Sequence, residues 1–223
     1  MEIMKNSMNR LKKFFFFTLI FFVSFSLLAQ NETHPAAPIL NKTTQKYNSL
    51  AAFSFDFQMK MEIDELLIHS FDGVLLVKKE KYFLTFEDQI IANDGKMMWN
   101  YQKNTNEASL FDAEEDDFAG FNPITILNNW DKDYNAKLIR EEELHKKTMF
   151  ILDLTPKKKT SFYKIRLYIE KDNSSIYQVI MYEIDGPTLT YTITKFNPSV
   201  AITDTKFTFN KNDYPNVQVI DMR

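Results

Sequence analysis

The residues equipped for chemistry are few and badly placed for it. The 223-residue chain holds three histidines. His34 sits in a proline-flanked leader, His69 in an apolar run and His145 in a charged turn. None lies near a serine or carboxylate motif that would supply a nucleophile, a base and an orienting acid. The carboxylates Asp112, Glu114, Glu115, Asp116 and Asp117 form an acidic run. They lack the Asp-x-Asp-x-Asp-Gly spacing of a calcium loop and the helical histidine spacing of a zinc site. Four glycines in the whole chain leave no phosphate-cradling loop. The basic runs Lys78-Lys79-Glu80-Lys81 and Lys157-Lys158-Lys159 read as hydrated turns, with recognition of an acidic partner or a phospholipid headgroup as their other use. The expectation is no catalytic residue, no metal, no cofactor and no enzyme activity.

What the chain has instead is apolar surface in strand register. Phe53, Phe55, Phe57, Met59, Met61 and Ile63 alternate with Ser54, Asp56, Gln58, Lys60 and Glu62. A strict period of two marks a strand with one apolar and one wet face. At about 3.3 Å per residue it would span roughly 35 Å, nearly twice a typical strand, which suits a large curved sheet. Rings and thioethers replace the branched Val and Ile of an ordinary sheet core. Two readings follow: a plain β-core that uses Phe and Met, or an adaptable greasy face, since Met repacks around irregular partners.

The first residues read as a leader. Arg10, Lys12 and Lys13 precede the uncharged run Phe14 to Leu28, which ends in Ala29-Gln30. A basic segment, a short apolar run and a small residue describe a secretory signal peptide, and the run is short of the ~20 residues a membrane span needs. Residues 1–30 are therefore expected to be cleaved on one side or the other of Gln30, leaving one domain over 31–223, with Met4 and Met8 as alternative starts. Cleavage takes the net charge from −3 to −6, so nucleic acid is not an expected partner. Cysteine is absent, which removes the lipid-bearing cysteine of a bacterial lipoprotein. The expected product is unanchored, periplasmic and monomeric.

Along the rest, Pro38 to Ala52 reads as a helix with Leu40, Thr43, Tyr47, Leu50 and Ala51 near one face. Asn122-Pro123 supplies an N-cap and a first helical residue for a second, short helix carrying Ile124, Leu127 and Trp130. So short a helix must dock on something apolar. Elsewhere strand-like runs alternate with turn signals such as Lys79-Glu80, Asn93-Asp94-Gly95, Lys171-Asp172-Asn173-Ser174 and Asp185-Gly186-Pro187. Phe207 to Phe209 and Val217 to Ile220 read as two short closing strands. Hairpin runs with few helices, about eleven antiparallel strands in all, imply a sandwich or barrel.

Several motifs then fall in a recognisable order: Gly73-Val74-Leu75-Leu76-Val77-Lys78-Lys79, Asn93-Asp94-Gly95-Lys96 with Trp99 and Tyr101, Asn122-Pro123, Leu154-Thr155-Pro156-Lys157, Lys206-Phe207-Thr208-Phe209 and Val217 to Arg223. From about Leu40 to Arg223 the chain resembles the outer-membrane lipoprotein carrier family, LolA. The resemblance implies a mainly β fold, an unclosed antiparallel barrel with a helical lid over an apolar concave face. It implies a periplasmic chaperone that binds lipoprotein acyl chains and carries them from the inner to the outer membrane. The implied partners are lipoproteins, an inner-membrane lipoprotein-releasing ABC transporter and an outer-membrane acceptor. The alternative is a binding or sensor module for another hydrophobic ligand on the same scaffold. The family often has an arginine, tied to lid and cargo handling, where this chain has Lys79, and lysine cannot make the planar bidentate contact of a guanidinium.

Candidate cavity residues are Phe55, Phe57, Met59 and Met61, followed by Phe83, Met98, Trp99, Ile165, Leu167, Tyr191 and Ile193. Leu40, Tyr47, Leu127 and Trp130 are the lid candidates. Parity alone does not say which face points inward where both are apolar, as over residues 74–77.

Overall fold

The computed structural model describes residues 35–113 and 122–223. The leader and the acidic residues from Glu114 onward lie outside them. Helix α1 (Ala36–Asn48) leads into a meander of six strands: β1 (Phe53–Ile63), β2 (Leu66–Lys78), β3 (Lys81–Phe86), β4 (Gln89–Asn93), β5 (Met97–Gln102) and β6 (Glu107–Asp112). The short helices α2 (Pro123–Asn128) and α3 (Trp130–Asp133) follow. Five more strands succeed them: β7 (Tyr134–Leu144), β8 (Lys147–Pro156), β9 (Phe162–Glu170), β10 (Ile176–Glu183) and β11 (Thr188–Asn197). Two 3-10 turns, Asp204–Phe207 and Lys211–Asp213, precede β12 (Gln218–Asp221).

The twelve strands form one sheet in the order β12-β6-β5-β4-β3-β2-β1-β11-β10-β9-β8-β7. Among the described residues β12 and β7 do not pair, so the sheet stays unclosed. The alternation over Phe53 to Ile63 becomes β1 as expected, at the centre, paired with β2 on one side and β11 on the other. The expected closing strand at the C-terminus is present as β12, but it runs parallel to β6, so the sheet is not antiparallel throughout. Phe207 to Phe209 forms no strand. Phe207 ends a 3-10 turn and is fully buried. The second helix of the sequence reading divides in two at Asn129, whose N–H bonds back to Ile126 O.

Register decides the inner face. Phe53, Phe55 and Phe57 lie opposite Val77, Leu75 and Gly73, which lie opposite Tyr82, Leu84 and Phe86. On the other side Met59 faces Tyr191, Tyr191 faces Val179, Val179 faces Leu167 and Leu167 faces Leu152. One packed cluster runs along this face from Met98 on β5 to Ala136 on β7 and takes in Leu40, Ile124 and Leu127 from the helices. A flat sheet of this many strands would be about 50 Å wide at ~4.8 Å per strand, too wide to share one cluster. It must roll around the helices, and its inner face is concave.

Candidate functional site

Helix α1 buries Ala36, Leu40, Thr43 and Tyr47, one turn apart on the stripe that faces the sheet. The Tyr47 ring packs against Phe53, Phe55 and Phe196 at centroid distances of 5.4, 5.5 and 5.7 Å. Its hydroxyl accepts the Ile176 N–H at 2.9 Å. Burial pushes that phenol up to about 12, so it stays neutral and hydrogen-bonded. Beside it the Lys46 ammonium donates to Asn173 O at 2.9 Å and to the Ser175 hydroxyl, and burial lowers its pKa despite the nearby Glu170. Helix α1 is thus tied to the β9–β10 turn.

Helix α2 starts as its sequence requires. The Asn122 side chain accepts the Ile124 N–H at 3.0 Å, and Pro123 takes the first helical position. Ile124, Ile126 and Leu127 are buried in the central cluster. A row of hydrogen bonds fastens the short helices to α1. Thr44 Oγ1 donates to Leu127 O at 3.0 Å, Asn48 Nδ2 to Asn128 Oδ1 at 3.0 Å, and Trp130 Nε1 to Asn41 Oδ1 at 3.2 Å. At the far end the Lys157 N–H donates to Asp133 O at 2.8 Å and its ammonium to Asp131 O at 2.6 Å, which anchors α3 to the end of β8.

Under α2 lies a small apolar cavity of about 20 Å³, lined by Phe55, Phe57, Leu75, Pro123, Val179, Tyr191 and Ile193. Around 10–15 Å³ is the space of one water centre, so the cavity holds about one water and no hydrocarbon chain. Phe57 closes it from below. Its ring lies over Gly73, where an added Cβ would sit 2.4 Å from Phe57 Cζ, and only a residue without a side chain admits that approach. A bulge between Asp56 and Phe57 on the β11 side leaves Thr194 unpaired, and its hydroxyl donates to Asp56 O at 3.0 Å. The bulge re-aims the strand beside the cavity. Burial raises the Tyr191 phenol well above its ordinary value.

The structure brings together most of the expected residues. Phe55, Phe57, Met59, Met61, Met98, Ile165, Leu167, Tyr191 and Ile193 share the concave cluster, as do the lid candidates Leu40, Tyr47, Leu127 and, half-buried at its rim, Trp130. Phe83 and Trp99 are corrected. They face each other's neighbours on the opposite side of the sheet, Phe83 beside Leu76 and Ala92, Trp99 beside Ala92 and Leu110. The C-terminal segment covers that side. Phe209 stacks on Trp99 at 4.9 Å, Tyr214 stacks on Phe209 at 4.7 Å, and the Lys206 ammonium sits 3.9 Å over the Phe83 ring.

Lys79 occupies the left-handed region at φ 56° in the β2–β3 turn. It has no hydrogen bond or ion pair among the described residues. Its neighbours Lys78 and Lys81 hold Asp204 at 2.6 and 2.9 Å, so this turn is tied to the C-terminal segment. The fasteners Asn41, Thr44 and Asn48 went unnoticed in the sequence, although their spacing of three and four marks a polar stripe on one helix face. Leu75 and Val179 were also missed. One sits in the doubly apolar run 74–77 and the other in β10, where residues 176–182 are apolar on both faces apart from Gln178. Among the described residues no cluster of three or more His, Asp or Glu could hold a metal ion.

A family model described only as that of an uncharacterized protein matches residues 77–211, more than half of the chain. The chain belongs to that family. An uncharacterized protein of Methanocaldococcus jannaschii is 23% identical over 179 residues, covering 78% of this chain and 51% of that protein. The chain thus spans about half the length of that relative. An uncharacterized conserved protein from Thermus thermophilus shares the fold, with a TM-score of 0.59 and 14% identity over 84% of this chain and 99% of that one. A looser likeness, TM-score 0.45 at 14% identity over 78% and 97% of the two chains, is to a LolA superfamily protein from Nitrosomonas europaea. That score is too low to establish a shared fold.

Proposed function

We propose that the protein is an exported carrier for lipoprotein acyl chains, in which α2, fastened to α1, forms a lid that gives way to hydrocarbon. The observation that carries this reading is the mismatch, among the described residues, between the concave face and the cavity under α2. The face is apolar from β5 to β7, yet the cavity under Pro123 measures only about 20 Å³. Such a face binds a chain only by exchanging a covering it already has.

Energetics support the exchange. Burying Ile124, Ile126 and Leu127 stabilises the closed lid by about 5–9 kcal/mol at roughly 1.5–3 kcal/mol per side chain. At ~0.8 kcal/mol per buried methylene, roughly 6–11 methylenes offset that. A single acyl chain is therefore enough to replace the lid, and the lid's return offsets about 5–9 kcal/mol of the cost of giving a chain up. That offset lowers what an acceptor must supply to tip the equilibrium. Cleavage of the leader on one side or the other of Gln30 and transit between the inner and outer membranes, from a lipoprotein-releasing transporter to an acceptor, belong to the same proposal.

The test is native mass spectrometry of the protein isolated from the periplasm. Triacylated lipoprotein bound one to one supports the reading. Free fatty acid or glycolipid alone would move it to a binding module for another hydrophobic ligand, and no bound lipid under any extraction would end it.

A further inference from the structure

The apolar stripe of β1 does not stop where the core stops. Phe55, Phe57 and Met59 are buried, Met61 is half-buried, and Ile63 at the end is 45% exposed. Beyond the turn at Asp64 and Glu65 come Leu66, Leu67 and Ile68, exposed by 68%, 57% and 55%. Asp64 and Glu65 have φ of 49° and 65°, the two consecutive left-handed residues of a tight hairpin loop. This hairpin projects on the β2 side, where β3 pairs with β2 only from Gly73 onward, while β11 flanks β1 up to Glu62.

Register puts apolar side chains on both faces of the tip, behind the acidic loop Asp64-Glu65. Leu66 lies opposite Ile63 on the inner face, Leu67 lies opposite Glu62 on the outer face, and Ile68 is the extra residue of a bulge between Met61 and Glu62. A protein groove takes one face of a hairpin, whereas hydrocarbon takes every face at once. The same rim carries the exposed Ile184 and Tyr163, brought together by the Ile184 N–H donating to Ser161 O at 2.9 Å. Charges on the rim are of both signs: Asp64, Glu65 and Asp185 with Lys60, Lys158 and Lys159, all exposed. Mixed charge around an apolar point matches headgroups that carry both an ammonium and a phosphate.

We infer that the β1–β2 tip docks the protein on the surface of a zwitterionic lipid bilayer, with Ile63, Leu66, Leu67 and Ile68 entering the headgroup and acyl boundary. Four partly exposed side chains give the weak, reversible binding of a single short anchor, suited to a protein that touches a membrane and leaves it. The docked tip is also the outer end of the stripe that leads to the concave face. The inference does not require acyl cargo, because none of the four lines the cavity.

The test is flotation of the mature chain with vesicles of phosphatidylethanolamine and phosphatidylcholine. The wild type is expected to float, and Leu66→Ser with Leu67→Ser to reduce the bound fraction at least tenfold while keeping the same melting profile. Leu67→Trp is expected to shift its emission to the blue on binding and to be quenched by lipids brominated near the headgroup. Failure of the wild type to float, or equal flotation of the double variant, would overturn the inference. So would binding only to native membranes and only before protease treatment, which would assign the tip to a protein partner. Uptake of detergent-dispersed acyl ligand should be unchanged in the double variant, so a failed carrier reading and a failed docking reading are distinguishable.

Discussion

The contact between Phe57 and Gly73 sets a measurable constraint on the cavity. A methyl group at position 73 would meet Phe57 Cζ at 2.4 Å, where ordinary contact begins at 3.4 Å. The ring must therefore retreat by about 1 Å, away from β2 and toward the cavity, or β1 and β2 must part. Overpacking of this kind costs about 1–3 kcal/mol. In a domain of this size 1 kcal/mol shifts the melting temperature by roughly 2–4 °C, so Gly73→Ala should melt about 2–12 °C lower. Phe57→Leu removes the atoms in conflict. In that background Gly73→Ala should cost little, giving a coupling of about 1–3 kcal/mol between the two sites. Thermal and urea melts of the four proteins measure it. Equal costs of Gly73→Ala in both backgrounds would refute the stacking of Phe57 on Gly73 and the cavity geometry built on it.

Tyr47→Phe leaves the buried Ile176 N–H without its acceptor and should destabilise the fold by about 1–3 kcal/mol, read in the same melts. Trp99→Ala strips the outer aromatic cluster and should lower stability while leaving hydrophobic-ligand binding intact, whereas Tyr191→Ala should reduce binding; equal loss of binding in both would reverse the assignment of faces. Hydrogen bonds from Lys78 and Lys81 hold the Asp204 carboxyl at about 2, below its ordinary 3.8. Its contribution to stability is complete above the ordinary value and is lost as the pH falls from about 4 toward 2. A carboxyl NMR titration should place its midpoint near 2, and Asp204→Asn should remove that part of the acid limb.

The centre of the fold was legible because β1 has water on one side. Ser54, Asp56, Gln58 and Lys60 alternate against rings and thioethers, and a strand with one wet face declares its parity. Phe83 and Trp99 were misplaced because the half of the sheet from β3 to β6 is apolar on both sides. Its outer face is covered by Phe207, Phe209, Tyr214 and Val217 from the far end of the chain, and no local pattern announces a cover more than a hundred residues away. The same segment misled as strand, since Phe207 and Phe209 alternate around Thr208 but pack as plugs. Helix α2 was legible from Asn122-Pro123 and its apolar residues. Its fasteners were not, because hydrogen bonds between polar side chains of two helices depend on where those helices meet.

The claim that α2 yields to hydrocarbon is tested most directly by locking it. Asn48 and Asn128 touch through their side-chain amides at 3.0 Å, α1 is itself tied to the sheet by Tyr47 and Lys46, and the chain has no cysteine of its own. Asn48→Cys with Asn128→Cys, joined by a short bis-methanethiosulfonate linker that spans the gap between the side-chain ends, therefore gives a reversible cross-link between α2 and α1. Acyl-ligand binding, followed by displacement of a hydrophobic dye, should fall at least tenfold when the pair is linked and return when reduction removes the linker. Equal binding by the linked and unlinked proteins would contradict the account, because the ligand would then have reached its site without moving α2.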